Sequence, residues 1–326
     1  MPSNRLTALC LTALLAGGQA QAAPPDPPAA LPGGSNYVAY RLDGCAREPY
    51  GVVNGYDDAP EVIADQLAAM SRAGQRRLRI GIFHHRGPDS GTVMDSTGGD
   101  LSPRNRSNLA ALLAAVRAAG FAEVLVAFFP QDSNHPLRWT RFDEALYREN
   151  RDLIRRVRAI VAAAGLPYRI DLLNEGAPAT GQDLLRRYAT RLWADYTGAY
   201  GTADTVGFSL SVWVADRVSR LPAVYGGNPP PVFDVHLYGD DWNGEEYRQF
   251  LDAHAAMERL GYHQPWIIGE AYHNDPVAAA GIRRAITETR REVRYLTQWP
   301  LSRARRCTDV DIAPPTAYEA YSSAGF

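Results

Sequence analysis

The sequence predicts a single α/β domain folded as a (β/α)8 TIM barrel. Eight short apolar runs alternate with amphipathic stretches in regular order along the chain. The runs are apolar on both faces, as parallel strands covered by helices are. The turn after the first run, Leu42-Asp43-Gly44-Cys45, lacks the glycine-rich phosphate loop that a doubly wound open sheet places there.

In chain order the expected strands are 37–42, 77–83, 123–129, 169–173, 205–212, 232–237, 266–269 and 293–298. The expected helices fill the gaps. The first spans 59–73, behind Asp58 and ahead of Gly74, and the second spans 103–119, from Ser102 to Gly120. The third and fourth, 143–164 and 182–200, stop at Gly165 and Gly201. A weaker helix at 215–225 is followed by 245–260, which stops at Gly261, and by 276–291, which opens with Pro276 after Asp275. Proline just inside a helix start and glycine just past its end are the expected punctuation. Only 315–321 is left for the last helix, which is therefore short or degenerate.

The N-terminus reads as a signal peptide over 1–22. Arg5 supplies the positive charge, Leu6 to Ala16 the apolar run, and Ala20-Gln21-Ala22 the small-x-small cleavage signal. That run is far below the roughly 20 residues needed to span a bilayer, and no later stretch is long and apolar enough to do so. Residues 23–35, rich in Pro, Ala and Gly, read as a disordered lead-in, and 36–326 as the barrel domain. The expected localisation is secreted or periplasmic. Cleavage after Ala22 leaves two of the three cysteines, Cys45 and Cys307. In an oxidising compartment an even count favours one disulfide. The first and eighth strands of a closed barrel are neighbours, which brings the two cysteines together.

A net charge of -2, with arginines scattered among acidic residues, leaves no basic footprint for nucleic acid. No metal or other cofactor is expected. Neither remaining cysteine has a second Cys or a His at ligand spacing, and the adjacent His84 and His85 point to opposite faces of a strand. The sequence carries no signal of oligomeric state.

In such a barrel, catalytic groups sit at the C-terminal ends of the strands. The fourth strand ends Asp171-Leu172-Leu173-Asn174-Glu175-Gly176, and the seventh ends Trp266-Ile267-Ile268-Gly269-Glu270. Each puts a carboxylate directly after an apolar run, and the two strands face each other across the barrel mouth. Phe128, Phe129, Trp139, Trp213, Tyr238, Trp242 and Tyr272 lie at or just past strand ends, and about half are expected to face a cleft. His84-His85 and Asp240-Asp241 are polar groups placed to contact hydroxyls.

The pair Asn174-Glu175 and Glu270 resembles the retaining glycoside hydrolases of clan A, the group that includes family 5-type cellulases and mannanases. The resemblance runs from about Tyr37 to Trp299. Arg79 is similar to the clan's strand-two arginine beside the nucleophile, His236-Leu237-Tyr238 to its strand-six His-x-Tyr, and Trp299 to its sugar-platform tryptophan. Gly176 stands where many members have proline, and the end of the third strand lacks their histidine. The resemblance implies a carbohydrate substrate, Glu270 as nucleophile, and Glu175 as the acid that later serves as base.

Retaining chemistry sets two carboxyls about 5–5.5 Å apart. The acid is expected to be kept protonated by its negative neighbour, and the nucleophile to be kept ionised by Arg79 and Tyr238. Asn174 is placed to bond the sugar 2-hydroxyl, with Trp299 under the ring and Trp242 and His84 as further substrate contacts. Two other readings are a non-catalytic carbohydrate-binding barrel and a metal-dependent hydrolase using His84, Asp132 and His236.

Overall fold

A computed structural model describes residues 29–41, 50–213, 216–239, 244–300 and 316–326. The signal-peptide segment, both cysteines of the expected disulfide, Trp242, Asp240 and Asp241 lie outside the described residues.

The chain forms the expected closed barrel. Its strands are β1 (Gly34–Asn36), β2 (Arg77–His85), β3 (Glu123–Pro130), β4 (Tyr168–Asp171), β5 (Thr205–Gly207, resuming at Leu210–Ser211), β6 (Phe233–His236), β7 (Trp266–Glu270) and β8 (Val293–Gln298). All neighbouring pairs are parallel, and β1 joins β2 on one side and β8 on the other. The first part of β5 pairs with β4 and the second with β6, which completes the ring. The helices are α1 (Pro60–Arg72), α2 (Pro103–Ala118), α3 (Glu144–Ala163), α4 (Asp183–Tyr200), α5 (Arg217–Tyr225), α6 (Glu245–Arg259), α7 (Pro276–Thr289) and the short α8 (Glu319–Ser323). Ser102 caps its helix as the sequence suggests, and two aspartates do the same elsewhere. Ser102, Asp143 and Asp275 accept hydrogen bonds from backbone N–H groups of the first turns of α2, α3 and α7.

Two strands depart from expectation. The first barrel strand is Gly34–Asn36, so Gly34 and Ser35 belong to the barrel and not to the lead-in. The apolar run that follows turns out of the barrel, and Ala39–Arg41 pairs antiparallel with Tyr50–Gly51 in a separate hairpin. At Gly34 a Cβ would lie 2.0 Å from the Arg77 carbonyl oxygen, so a small residue suits the β1–β2 seam. The second departure is the break in β5, where Gly207 takes a φ of 73° that most residues avoid. A Cβ there would also meet the Tyr225 hydroxyl at 2.5 Å.

The main core lies between helices and sheet. A second, smaller cluster of Leu125, Val206, Val232, Ile267 and Tyr295 draws on β3, β5, the residue ahead of β6, β7 and β8. Arg79 is the lateral neighbour of Leu125, and Asp234 of Ile267, so both charges share the face of this apolar floor. The barrel interior thus changes from apolar to charged near the C-terminal ends of its strands.

Candidate active site

Arg79 is the centre of the charged layer. Its side chain is fully buried and pairs with three carboxylates from three different elements. Nη1 donates to Glu270 Oε1 at 2.6 Å and to Asn36 Oδ1 at 3.1 Å. Nη2 donates to Asp171 Oδ2 at 2.8 Å and to Asn174 Oδ1 at 2.7 Å. Nε faces Asp234 Oδ2 at 3.6 Å. A buried guanidinium remains stable here because the surrounding negative charge offsets its lost hydration. Glu270, Asp234 and Asp171 together raise its pKa against the opposing effect of burial.

Glu270 ends β7 in extended backbone, and only 8% of its side chain is exposed. Its second oxygen, Oε2, accepts from the Tyr238 hydroxyl at 2.9 Å. Burial and the adjacent Glu270 charge push the Tyr238 phenol well above its ordinary range, so it stays a donor.

Glu175 sits just past the end of β4 with a φ of 50°, a conformation uncommon outside glycine. Side chains from the β5 break and from α5 hold it there. Its N–H donates to Ser209 Oγ at 2.8 Å, and its carbonyl accepts from Arg217 Nη1 at 3.1 Å. The same Arg217 nitrogen donates to Ser211 Oγ at 3.0 Å. Gly176 closes the turn by donating its N–H to the Leu173 carbonyl at 2.9 Å. A Cβ at 176 would lie 2.7 Å from the Leu173 side chain. Proline therefore cannot occupy this turn as it stands, which accounts for the departure noted in the sequence.

Among the described residues, one group of His, Cys, Asp and Glu brings its donor atoms close enough to share an ion. It consists of Glu175, His236 and Glu270, with one oxygen or nitrogen from each lying within 4.8 Å of the others. His84 and Asp132 are not in it, so the metal set suggested by the sequence does not assemble. His236 Nδ1 faces Glu175 Oε1 at 3.2 Å and Glu270 Oε2 at 3.6 Å.

The electrostatics reverse one expectation. Burial raises the Glu175 carboxyl, but His236, a hydrogen bond from Ser211 and the Arg217 charge outweigh it and hold the group at about 2. Burial lowers His236, but Glu270, the bond to Glu175 and Asp234 outweigh it and raise the imidazole above its usual value. Both shifts favour placing the shared proton on His236 over Glu175. The sequence reading weighed only carboxylate against carboxylate and left out the histidine between them.

Other expected contacts divide. Asn174 is present, but its carbonyl oxygen is taken by Arg79, which turns the amide nitrogen the other way. Trp299 is half-buried at the end of β8, its ring 6.3 Å from Phe129, which stacks on Phe83 at 4.3 Å. Trp213 is 42% exposed and meets Tyr238 edge-on, and Tyr238 meets Tyr272 in the same way. Tyr238 bonds Glu270, so the Trp213 and Tyr272 rings that meet it lie near that carboxylate, and Arg79 sits 5.3 Å from the centre of the Phe129 ring.

His84 corrects the reading that placed it on substrate. It is buried, bonded through Nδ1 to Ser96 Oγ at 3.0 Å, and burial with nearby His85 and His135 pushes it down to about 3. A strand alternates faces, so His85 is the one that reaches Asp132, at 3.2 Å. Trp139 and Phe128 are buried in the core, and Trp139 donates its indole N–H to the Ser133 carbonyl.

Sequence reasoning missed Asn36, Asp171, Ser209, Ser211, Arg217 and Asp234. A signal existed for the two aspartates. Each is a charge set inside an apolar strand, in Ile170-Asp171-Leu172 and Phe233-Asp234-Val235, and Asp234 shares a face with His236 two residues on. The serines and Arg217 carry no such mark, because the break in β5 and the packing of α5 bring them to Glu175.

No protein-family model matches the sequence, and no curated protein does. Solved structures do match in fold. The endo-1,4-β-mannanase from Rhizomucor miehei aligns with a TM-score of 0.56 at 11% identity, covering 91% of this chain and 93% of that one. A Bacteroides ovatus GH5 xyloglucanase aligns at 0.54 and 11% identity, covering 91% and 74%. The exo-β-1,4-mannosidase Op5Man5 from Opitutaceae bacterium strain TAV5 aligns at 0.55 and 18% identity. It covers 82% of this chain, which spans about half (51%) of that longer protein. The chain thus shares the (β/α)8 barrel of these proteins.

Proposed function

We propose that the protein is a retaining glycoside hydrolase that cleaves β-glycosidic bonds in an oligo- or polysaccharide, with Glu270 as nucleophile and Glu175 as acid and base. The observation that carries this reading is the approach of a Glu175 oxygen to a Glu270 oxygen within 4.8 Å across the barrel mouth. That is the spacing of a double displacement and too short for a water to stand between the carboxyls in an inverting reaction.

The steps follow from the contacts. Arg79 and Tyr238 each donate to Glu270 and present it as a carboxylate aimed at the anomeric carbon. Glu270 forms a bond to that carbon as the glycosidic C–O bond breaks. The departing oxygen takes the proton of Glu175, which His236 supplies across the 3.2 Å contact when a sugar oxygen enters. Water then gives a proton to the Glu175 carboxylate, its oxygen attacks the anomeric carbon, and Glu270 leaves. Two inversions restore the starting configuration. Trp299 and Trp213 offer flat faces for pyranose rings.

The resemblance to mannan-acting barrels makes β-1,4-linked mannan and manno-oligosaccharides the first substrates to test. The signal segment around Arg5 and Ala20-Gln21-Ala22 makes secretion part of the proposal. Among the described residues no helix is long and apolar enough to cross a membrane.

The test is a panel of β-linked glycans, with the anomer of the first product read by NMR before mutarotation. A product of retained configuration is expected. An inverted product would refute the mechanism. Binding without release of reducing ends on every glycan would favour a non-catalytic carbohydrate-binding barrel.

A further inference from the structure

Asp234 has no part in the chemistry above, yet it is a fully buried carboxylate directly beneath the site. Its two oxygens make no hydrogen bond, and neither do Arg79 Nε and His236 Nε2. These four atoms face one another: Arg79 Nε is 3.6 Å from Oδ2, and His236 Nε2 is 3.8 Å from Oδ1. Room for the carboxylate comes from Gly269 on β7, where a Cβ would lie 2.1 Å from Oδ1. The residue before Glu270 is therefore small because Asp234 is there.

We propose that Asp234 is a positioning residue of this site, acting through His236: it holds the imidazole as the cation whose Nδ1–H spans Glu175 and Glu270. With Asp234 ionised, the geometry favours both ring protons. Nδ1 faces two carboxylates, so it carries hydrogen. A neutral ring would then leave Nε2 as a bare lone pair pointing at a carboxylate oxygen, acceptor against acceptor, in a site without water-like screening. Protonating Nε2 turns that repulsion into attraction.

The groups that face His236 are Glu175 past β4, Glu270 on β7, Asp234 on its own strand β6, and Arg79 on β2, the last opposing the charge. Asp171, at the end of β4, acts on Asp234. Burial pushes the Asp234 carboxyl up to about 7, against the pull of Arg79 and His236. Below that pH the two glutamates keep His236 charged. Above it the ionised Asp234 adds its hold, so its influence falls on the alkaline side. This matters to the reaction because the proton on His236 is the one that Glu175 passes to the leaving group. The inference rests on the glycosidase reading for its kinetic part alone.

The experiment is a ¹⁵N NMR titration of the histidine side chains in the wild-type protein and in Asp234→Asn, with His236→Asn used to assign the signal. Wild-type His236 is expected to be doubly protonated at about pH 7.5, where an ordinary imidazole near 6.5 is mostly neutral. In Asp234→Asn its midpoint is expected to fall by roughly one unit or more, the shift typical of losing an opposite charge within 4–6 Å. The alkaline limb of the kcat/KM profile should move down with it. A singly protonated wild-type His236 at that pH overturns the proposal, and this arm decides even where Asp234→Asn does not fold. A variant with lower kcat but an unmoved midpoint and limb shows a merely structural aspartate and also overturns it. Failure of every glycan to turn over counts against the glycosidase reading, while the titration still decides the role of Asp234.

Discussion

The ends of β4 and β7 present the same side chain in opposite ways. Glu270 continues an extended strand, is almost buried, and is fixed at both oxygens by Arg79 and Tyr238. Glu175 lies on a left-handed turn with 31% of its side chain exposed, and it is fixed mainly through its backbone, by Ser209 and Arg217. One carboxylate is clamped by two donors. The other is held in place at its main chain while its head group faces His236 Nδ1 at 3.2 Å. The difference teaches that a barrel can give two identical residues distinct tasks by choosing which part of each it immobilises. A nucleophile needs a fixed, ionised oxygen, whereas an acid that becomes a base needs a head group free to exchange its proton.

Removing the clamped member should have the largest effect. Glu270→Ala is expected to lower kcat on the order of 10⁴-fold or more. Azide should restore part of the turnover with an inverted product, and full activity in that variant would dissolve the contrast. Arg79→Met, which leaves Asp171, Asp234 and Glu270 without their shared cation, should cost about 3–5 kcal/mol of stability. Urea unfolding measures this, and an unchanged midpoint would show that the clamp is not electrostatic.

Glu175→Gln should sharpen the comparison through its leaving-group dependence. A loss of about 10²- to 10³-fold is expected on unactivated glycosides, with much less on aryl glycosides that need no proton. Equal losses on both would remove the acid role. The smallest effect expected is that of Gly176→Pro. It deletes the N–H bonded to Leu173 and brings a Cβ against that side chain, so the Glu175 turn should shift. About a tenfold fall in kcat with little change in KM would follow. An unaffected kcat would mean that the turn does not set the position of Glu175.

Much of this contrast is legible in the sequence, unevenly. The Glu270 side is the more readable, because Arg79, His236, Tyr238 and Glu270 each sit at the end of an apolar run that counts as one strand. On the Glu175 side the backbone partners come from the break in a strand and from a short helix. No periodicity marks Ser209 or Arg217 as neighbours of residue 175, and Gly207 reads only as a glycine in a strand. His84 misled for a related reason. A histidine at a strand end points into the cleft or away from it according to strand parity, and β2 runs two residues further than its apolar stretch suggests.

The sequence by itself determined the eight-fold alternation, seven of the eight barrel strands within a few residues, and the two glutamates that face across the mouth. These are encoded in hydrophobic period and in glycine and proline punctuation, which act over a few residues. Only the tertiary structure decided that the first barrel strand begins before Tyr37, where glycine lets β1 approach β2 closely. It alone decided that three buried carboxylates converge on one arginine, and that His236 stands between Glu175 and Glu270. Protonation in a buried cluster depends on every charge within a few ångströms, and those charges come from strands up to 191 residues apart in the chain, as Arg79 and Glu270 are.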